Sequence, residues 1–97
     1  MPSYLSLINW TDQGIRNVKD SPQRYDAFKQ AVQAAGGRVI FLYLTMGEHD
    51  LATVFEVPDD ETATRLLLSV AALGSVRTTT LKAFTEDEFR RIVAALP

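Results

Sequence analysis

The sequence predicts an α+β domain in which two helices cover one face of a four-stranded antiparallel sheet. Three observations predict this class. Apolar and β-branched runs without helical period alternate with segments whose apolar residues recur every three or four positions. Gly47 separates the two middle runs by a turn short enough for a hairpin. A single domain over residues 1–97 is expected, because a chain of this length holds one core of ordinary size.

The first half of the chain contains one predicted strand and two predicted helices. The strand covers Tyr4–Trp10, and Thr11 then caps a short helix over Asp12–Lys19. Ser21–Pro22 begins the second helix, because proline is tolerated at the first helical position. Gly36–Gly37 ends that helix, since glycine readily adopts the left-handed conformation of a helix terminus.

The second half continues as a hairpin, a helix, a strand and a last helix. The predicted elements are strands over Arg38–Met46 and His49–Val57, a helix capped by Asp59 or Asp60 and closed by Gly74, a strand over Val76–Phe84, and an amphipathic helix that follows the Thr85–Glu88 capping box. The order β-α-β-β-α-β with a terminal helix is the ferredoxin-like arrangement. Right-handed crossovers place the first and third strands in the centre of the sheet.

Strand alternation divides the sheet residues into two sets, because side chains two apart point to the same face. The nearly all-aliphatic set is expected under the helices: Leu5, Leu7, Ile40, Leu42, Leu44, Leu51, Phe55, Leu81 and Ala83. The set that mixes aromatics, hydroxyls and charges is expected on the uncovered face: Tyr4, Ser6, Ile8, Trp10, Phe41, Tyr43, Thr45, Asp50, Ala52, Val54, Glu56, Thr78, Thr80 and Lys82. Such a face is too apolar to be left in water.

Two copies that meet through this mixed face would form a homodimer, with a higher oligomer as a further option, and would enclose a pocket for a small molecule. The residues predicted to bind the ligand are Tyr4, Trp10, Phe41, Tyr43, Thr45, Asp50, Thr78 and Thr80. Arg16 and Arg77 are either anion contacts at the mouth of this pocket or ordinary surface charges.

Four segments of the chain resemble the GYD-domain family of the dimeric α/β barrel superfamily. They are Trp10–Ile15, Gly47–Asp50, Glu56–Glu61 and Arg77–Thr80, and the resemblance extends over nearly the whole chain. It implies a bacterial protein that forms a dimeric α/β barrel. The superfamily includes monooxygenases, isomerases and effector-binding modules, so the resemblance implies an architecture without a reaction. His49 stands where the family's Gly-x-Tyr-Asp motif has tyrosine.

The candidate catalytic residues are Asp50, His49 and Tyr43, which lie at or near the hairpin turn. Asp50 is either a general base or a turn residue that accepts hydrogen bonds from backbone amides. His49, the single histidine, is either a proton carrier or a haem or metal ligand beside the pocket, or a partly exposed turn residue. Alternation places it on the Leu51 face of the sheet. One histidine and no cysteine predict no metal site, and the sequence contains no cofactor motif.

Composition excludes several classes of partner. A net charge of −2 with scattered basic residues predicts no nucleic-acid binding, and no apolar run is long enough to cross a membrane. The absence of cysteine agrees with a cytoplasmic location. Three hypotheses remain: a non-catalytic protein that binds a small molecule, a small cofactor-independent enzyme of the monooxygenase or isomerase kind, and a structural or assembly module. Whether the protein is an enzyme stays open at this point.

Overall fold

The computed structural model describes all 97 residues. Its elements are β1 (Ser3–Trp10), α1 (Asp12–Arg16), a 3-10 turn (Val18–Asp20), α2 (Ser21–Ala34), β2 (Arg38–Leu44), β3 (Leu51–Glu56), α3 (Asp60–Ala72), β4 (Val76–Ala83) and α4 (Glu86–Ala94). The strands form one open sheet in the order β2-β3-β1-β4, and each neighbouring pair is antiparallel. The predicted ferredoxin-like α+β fold is confirmed, including the central position of the first and third strands.

The helix caps follow the sequence signals. The Thr11 side chain accepts a hydrogen bond from the Gly14 amide at 3.1 Å, and this bond starts α1. The predicted capping box is confirmed, because Glu88 N donates to Thr85 Oγ1 at 3.2 Å and Thr85 N donates to Glu88 Oε1 at 2.8 Å.

Several element boundaries differ from the predictions. The first helix ends at Arg16 instead of Lys19, because Asn17 leaves helical geometry with φ −108° and ψ 33°. The hairpin strands are shorter than expected, since β2 ends at Leu44 and β3 begins at Leu51. The Thr45 amide donates to the Asp50 carbonyl at 2.8 Å, which closes a loop across the intervening residues.

A small core lies between the sheet and the helices α2 and α3. Its buried apolar residues are Tyr4, Val32, Phe55, Val57 and Ala63. Phe55 stacks on Tyr4 with ring centroids 5.4 Å apart and meets Phe28 edge-on at 5.5 Å. Only 11 of 97 residues are buried, so a large share of the apolar surface remains accessible for association.

The predicted assignment of sheet faces is wrong for β1 and β4. Residues directly opposite each other in adjacent strands share a face, and buried Phe55 of β3 pairs with Tyr4 of β1, which pairs in turn with Lys82 of β4. The helix-covered face therefore contains Tyr4, Ser6, Ile8, Trp10, Val76, Thr78, Thr80 and Lys82, whereas Leu5, Leu7, Leu81 and Ala83 lie on the uncovered face. The assignments for β3, and for Phe41, Leu42, Tyr43 and Leu44 of β2, are correct.

The physical reason is that small hydroxyl side chains take the place of aliphatic ones under the helices. Ser6 and Thr53 are each 1% exposed. The Ser6 and Thr80 hydroxyls lie 2.8 Å apart, and Thr53 Oγ1 donates to the Phe41 carbonyl at 2.6 Å. Burial of a hydroxyl that is hydrogen-bonded costs little free energy. The more aliphatic set of side chains in a strand therefore need not face the core.

Two further features distinguish this domain. Strand β2 contains a bulge between Val39 and Phe41, which leaves Ile40 without a partner in β3 and 46% exposed. Helix α4 contains no buried residue, and its apolar stripe is open to solvent at Phe89, Ile92 and Val93; Leu96, just beyond the helix, is exposed as well. The molecule therefore presents an uncovered sheet face and an uncovered amphipathic helix.

Candidate functional site

The structure does not bring the predicted ligand-binding residues together in one pocket. Tyr4, Trp10, Thr78 and Thr80 lie on the helix-covered face, and Phe41 and Tyr43 lie on the uncovered face. Thr45 and Asp50 lie at the hairpin end, outside the strands. The single pocket expected from alternation is therefore replaced by two separate surfaces on opposite sides of the sheet.

Asp50 braces the end of the sheet. Its Oδ2 atom accepts a hydrogen bond from the Trp10 amide at 3.0 Å, and its own amide donates to the Ile8 carbonyl at 2.9 Å. These bonds continue the β1–β3 pairing beyond the first residue of β3. A carboxylate that accepts from a backbone amide is held in the plane of the sheet, so this geometry corresponds to the turn alternative for Asp50.

His49 contacts Asn9 at the same end of the sheet. Asn9 Nδ2 donates to the Glu48 carbonyl at 2.7 Å, so Asn9 presents its Oδ1 atom to His49 Nδ1 at 2.9 Å. This network assigns the proton to Nδ1 of the histidine. The ring lies against Asn9, whose side chain is on the uncovered face of the sheet. The predicted position of His49 on the same face as Leu51 is therefore wrong.

Tyr4 forms a polar contact at the opposite end of the helix-covered face. Its hydroxyl donates to the Asp60 carboxylate, which also accepts a hydrogen bond from Lys82 Nζ at 3.3 Å. Burial and then the bond to Asp60 raise the pKa of Tyr4 to about 12. The bonds from Tyr4 and Lys82 lower the pKa of Asp60. The phenol stays protonated at neutral pH, where it is a structural donor and a poor nucleophile.

The uncovered side of the sheet, here called the open sheet face, has an apolar centre and polar ends. It consists of Ser3, Leu5, Leu7, Asn9, Arg38, Phe41, Tyr43, Ala52, Val54, Glu56, Arg77, Thr79, Leu81 and Ala83. Phe41 and Tyr43 stack at 5.0 Å between ring centroids, and the Tyr43 residue is 64% exposed. Arg38 and Glu56 form an ion pair of 2.7 Å at one end. An apolar patch with a polar rim is typical of protein interaction surfaces.

A cavity of about 220 Å³ lies on the other side of the sheet, between α2, α3 and the strands. Ser6, Thr53 and Thr78 form part of its floor, and Phe28, Leu67 and Val70 contribute apolar walls. Arg24 is its only charged lining residue. Of the predicted ligand-binding residues, Thr78 is the one that lines this cavity.

Sequence reasoning missed Arg24 as a site residue and considered Arg16 and Arg77, which do not line the cavity. A signal was available in the helical spacing. Arg24 shares one helix face with Ala27, Phe28 and Ala31 at intervals of three, four and seven positions, and all four residues line the cavity. An arginine within an apolar helical stripe indicates a charge at the edge of the core.

No group of three or more histidine, cysteine, aspartate or glutamate side chains is close enough to hold a metal ion. No helix is both long and apolar enough to cross a bilayer.

Together, the topology and the uncovered sheet define a small ferredoxin-like α+β domain with an open sheet. The GYD domain family matches residues 4–93, so the chain belongs to this family and the sequence resemblance is confirmed. One relative, from Thermus thermophilus, is 34% identical over 84 residues, which cover 86% of this chain and 88% of the relative. That relative is named glutamine synthetase and cystathionine beta-lyase binding protein.

Two solved structures share the fold. The crystal structure of TTHA0845, also from Thermus thermophilus, has a TM-score of 0.55 and 24% identity, and the match covers 88% of this chain and 95% of that chain. The crystal structure of FFRP-DM1 has a TM-score of 0.62 and 16% identity, with 87% of this chain and 100% of that chain covered. At these identities the likeness concerns the fold alone.

Proposed function

We propose that this chain is a non-catalytic binding protein that works as a homodimer joined through the open sheet face. The observation that carries this proposal is the apolar centre of that face, which no element of its own chain covers. A contiguous apolar patch of this kind is costly in water and favours association. Its occupant in this proposal is the same face of a second copy, as in the barrel expected from the sequence.

The size of the surface supports a contribution from α4. Four strands of this length give a flat face of about 450 Å², from the usual strand spacing and rise per residue. A stable interface buries about 800 Å² on each partner. The apolar stripe of α4 is exposed on the same chain, with Phe89 at 60% and Val93 at 48%, and it supplies the additional area when packed on the second copy.

The contacts of the three candidate catalytic residues favour binding over catalysis. Asp50 Oδ2 accepts a hydrogen bond from the Trp10 amide, and His49 Nδ1 is hydrogen-bonded to Asn9 Oδ1. Tyr43 stacks on Phe41 within the open sheet face. General acid and base catalysis needs groups that converge on one reacting atom, and these three are directed to separate structural contacts.

The partner in this proposal is a protein. The Thermus relative is named as a binding protein for two enzymes, glutamine synthetase and cystathionine beta-lyase. We extend a role of that class to this chain, with the homodimer as the binding unit and an enzyme as its target. A cytoplasmic location stays a prediction from the sequence.

A second candidate function is the binding of a small molecule, which the sequence also predicted. The observation that favours it is the cavity of about 220 Å³ between the helices and the sheet. The position differs from the expected one, because this cavity lies within one protomer and on the opposite side of the sheet from the proposed interface. The two functions are compatible, since they use different surfaces.

Light scattering tests the homodimer. The wild-type protein is expected at twice its chain mass of 10.8 kDa. Tyr43→Glu is expected to give a folded monomer, because a charge buried in an apolar interface costs several kcal/mol. Leu68→Glu is the matched control: Leu68 is 66% exposed on α3, Tyr43 is 64% exposed, and Leu68 does not line the open sheet face. A folded wild-type monomer, or equal dissociation by both variants, contradicts the proposal.

Protein binding is tested by immobilising the homodimer and titrating purified glutamine synthetase and cystathionine beta-lyase. Saturable binding of either enzyme supports the enzyme-partner role, provided that an unrelated enzyme of similar charge fails to bind. A stable homodimer that binds neither enzyme restricts the proposal to an assembly module.

A further inference from the structure

We infer that the cavity between α2, α3 and the sheet binds a small aromatic carboxylate, with the ring among the apolar walls and the carboxylate at Arg24. This inference rests on the second candidate function, because it names the ligand class of that cavity. It does not depend on dimerisation through the open sheet face.

The cavity volume sets the size of the ligand. A volume of about 220 Å³ exceeds the roughly 150 Å³ that accommodates benzene in an apolar protein cavity. It falls below the roughly 300–1,000 Å³ of sites for drug-sized molecules and cofactors. A single substituted ring therefore fits, whereas a nucleotide or a haem does not. Eleven of the 18 lining residues are hydrophobic, so the body of the ligand is apolar.

Arg24 sets the charge of the ligand. It is half-buried, lines the cavity, and has no carboxylate within 4.0 Å. Its Nη1 and Nη2 atoms donate to the carbonyls of Asn17 at 3.2 Å and Gly14 at 3.4 Å. A guanidinium has more N–H groups than these two bonds use, so donors remain for a ligand anion. No acidic residue lines the cavity, and the lining therefore attracts an anion and repels a cation.

The floor of the cavity supplies a second donor. The Ser6 and Thr80 hydroxyls lie 2.8 Å apart, and Thr80 Oγ1 donates to Thr78 Oγ1 at 3.4 Å. Thr78 Oγ1 is the acceptor in this contact, so its own proton is available for another partner. Thr78 lines the cavity, where its hydroxyl can donate to a polar atom of the ligand.

The tests use three probes of similar shape and different charge: phenylacetate, the neutral phenylacetamide and the cationic phenethylamine. Calorimetry with the wild-type protein is expected to show the highest affinity for phenylacetate, a lower one for phenylacetamide and the lowest for phenethylamine. The affinity for the anion should exceed that for the neutral amide at least about tenfold, which corresponds to one charge-assisted hydrogen bond. Trp10 provides an independent signal, because it is the only tryptophan and its Nε1 donates at 3.1 Å to Ser21, which lines the cavity.

Two variant pairs locate the site. Arg24→Gln is expected to lower the affinity for phenylacetate about tenfold, while the affinity for phenylacetamide changes less than about threefold. Arg16→Gln makes the same charge change on an exposed residue outside the cavity and is expected to leave both affinities unchanged. Ala31→Leu places a larger side chain in the cavity and should weaken all probes, whereas Ala34→Leu, on the same helix but outside the lining, should not.

The outcomes separate the ligand class from the ligand site. Equal binding of phenylacetate and phenylacetamide by the wild-type protein overturns the carboxylate assignment and leaves the cavity as a site. Binding that is insensitive to Ala31→Leu overturns the location. Absence of binding by every probe at about 10 mM, beyond the millimolar affinity of weak fragments, overturns both. The wild-type comparison holds even if Arg24→Gln fails to fold.

Discussion

The hydrogen bond from the Trp10 amide to Asp50 allows a quantitative prediction of the stability lost when the Asp50 side chain is removed. The amide points toward the β3 side of β1, at a position that β3 does not reach, and Asp50 Oδ2 at 3.0 Å serves as its partner. Asp50→Ala removes the acceptor from a half-buried donor, which costs about 1–2 kcal/mol. For a domain of about 100 residues each kcal/mol lowers Tm by about 4–8 °C, so the expected decrease is about 5–15 °C.

Asp50→Asn keeps an oxygen in the same place and loses only the charge. The expected cost is below about 1 kcal/mol, so the Asn variant should lie close to the wild type and the Ala variant well below it. Urea and thermal unfolding monitored by circular dichroism measure both values. Glu48→Ala, an exposed acidic neighbour whose side chain has no hydrogen-bond partner, is the control and should change little.

Two results would refute this reasoning. Wild-type stability of Asp50→Ala would mean that the Trp10 amide needs no side-chain partner. Equal destabilisation by Asn and Ala would mean that the charge itself stabilises the turn. Once a substrate is known, a decrease in rate of about 100-fold in a fully stable Asp50→Asn variant would instead assign general-base catalysis to Asp50.

Three further predictions concern other sites. The free energy of unfolding of His49→Tyr should lie within about 1 kcal/mol of the wild-type value, because a single partly buried hydrogen bond is lost but an aromatic ring is kept; chemical denaturation measures this. Gly14→Ala should lower stability by at least about 2 kcal/mol in the same assay, since a Cβ atom would lie 1.9 Å from the Ser75 carbonyl oxygen. Absorbance at alkaline pH should show Tyr4 ionising near pH 12, and Tyr4→Phe should remove that step. Because its folded pKa is raised, the stability contributed by Tyr4 is complete below about pH 10 and is lost as pH rises toward about 12.

A different experimental result would contradict each of these three predictions. A His49→Tyr variant that folds and dimerises but loses partner binding would assign a functional role to the histidine. Arg16→Ala, on the same short helix, is the control for Gly14→Ala and should remain within about 0.5 kcal/mol of the wild type. Ionisation of every tyrosine near pH 10 would contradict the buried bond between Tyr4 and Asp60.

The sequence predicts the fold well because the fold depends on local signals. Caps at Thr11 and Thr85, the proline of Ser21–Pro22 and the turn at Gly47 each determine where an element begins or ends. These signals are independent of one another, so a shift of two or three residues at a boundary leaves the topology intact.

The sequence does not predict which side of the sheet the helices cover. Alternation relates residues within a strand, whereas the register between strands decides which sets share a face. Leu5 and Leu7 are more apolar than Ser6, yet Ser6 is buried because Thr80 satisfies its hydroxyl. The cavity is harder still to predict, since it depends on the distance between α2 and α3 as well as on their sequences.

The bulge in β2 limits the addition of strands from other molecules to the edge of the sheet. β2 is an edge strand, and a regular edge exposes backbone donors and acceptors that can add strands from other molecules without limit. The extra residue Ile40 interrupts that spacing, so an incoming strand cannot stay in register along the whole edge. Lateral extension into a fibre is therefore disfavoured, and face-to-face pairing, which is complete after two copies, remains open to the molecule.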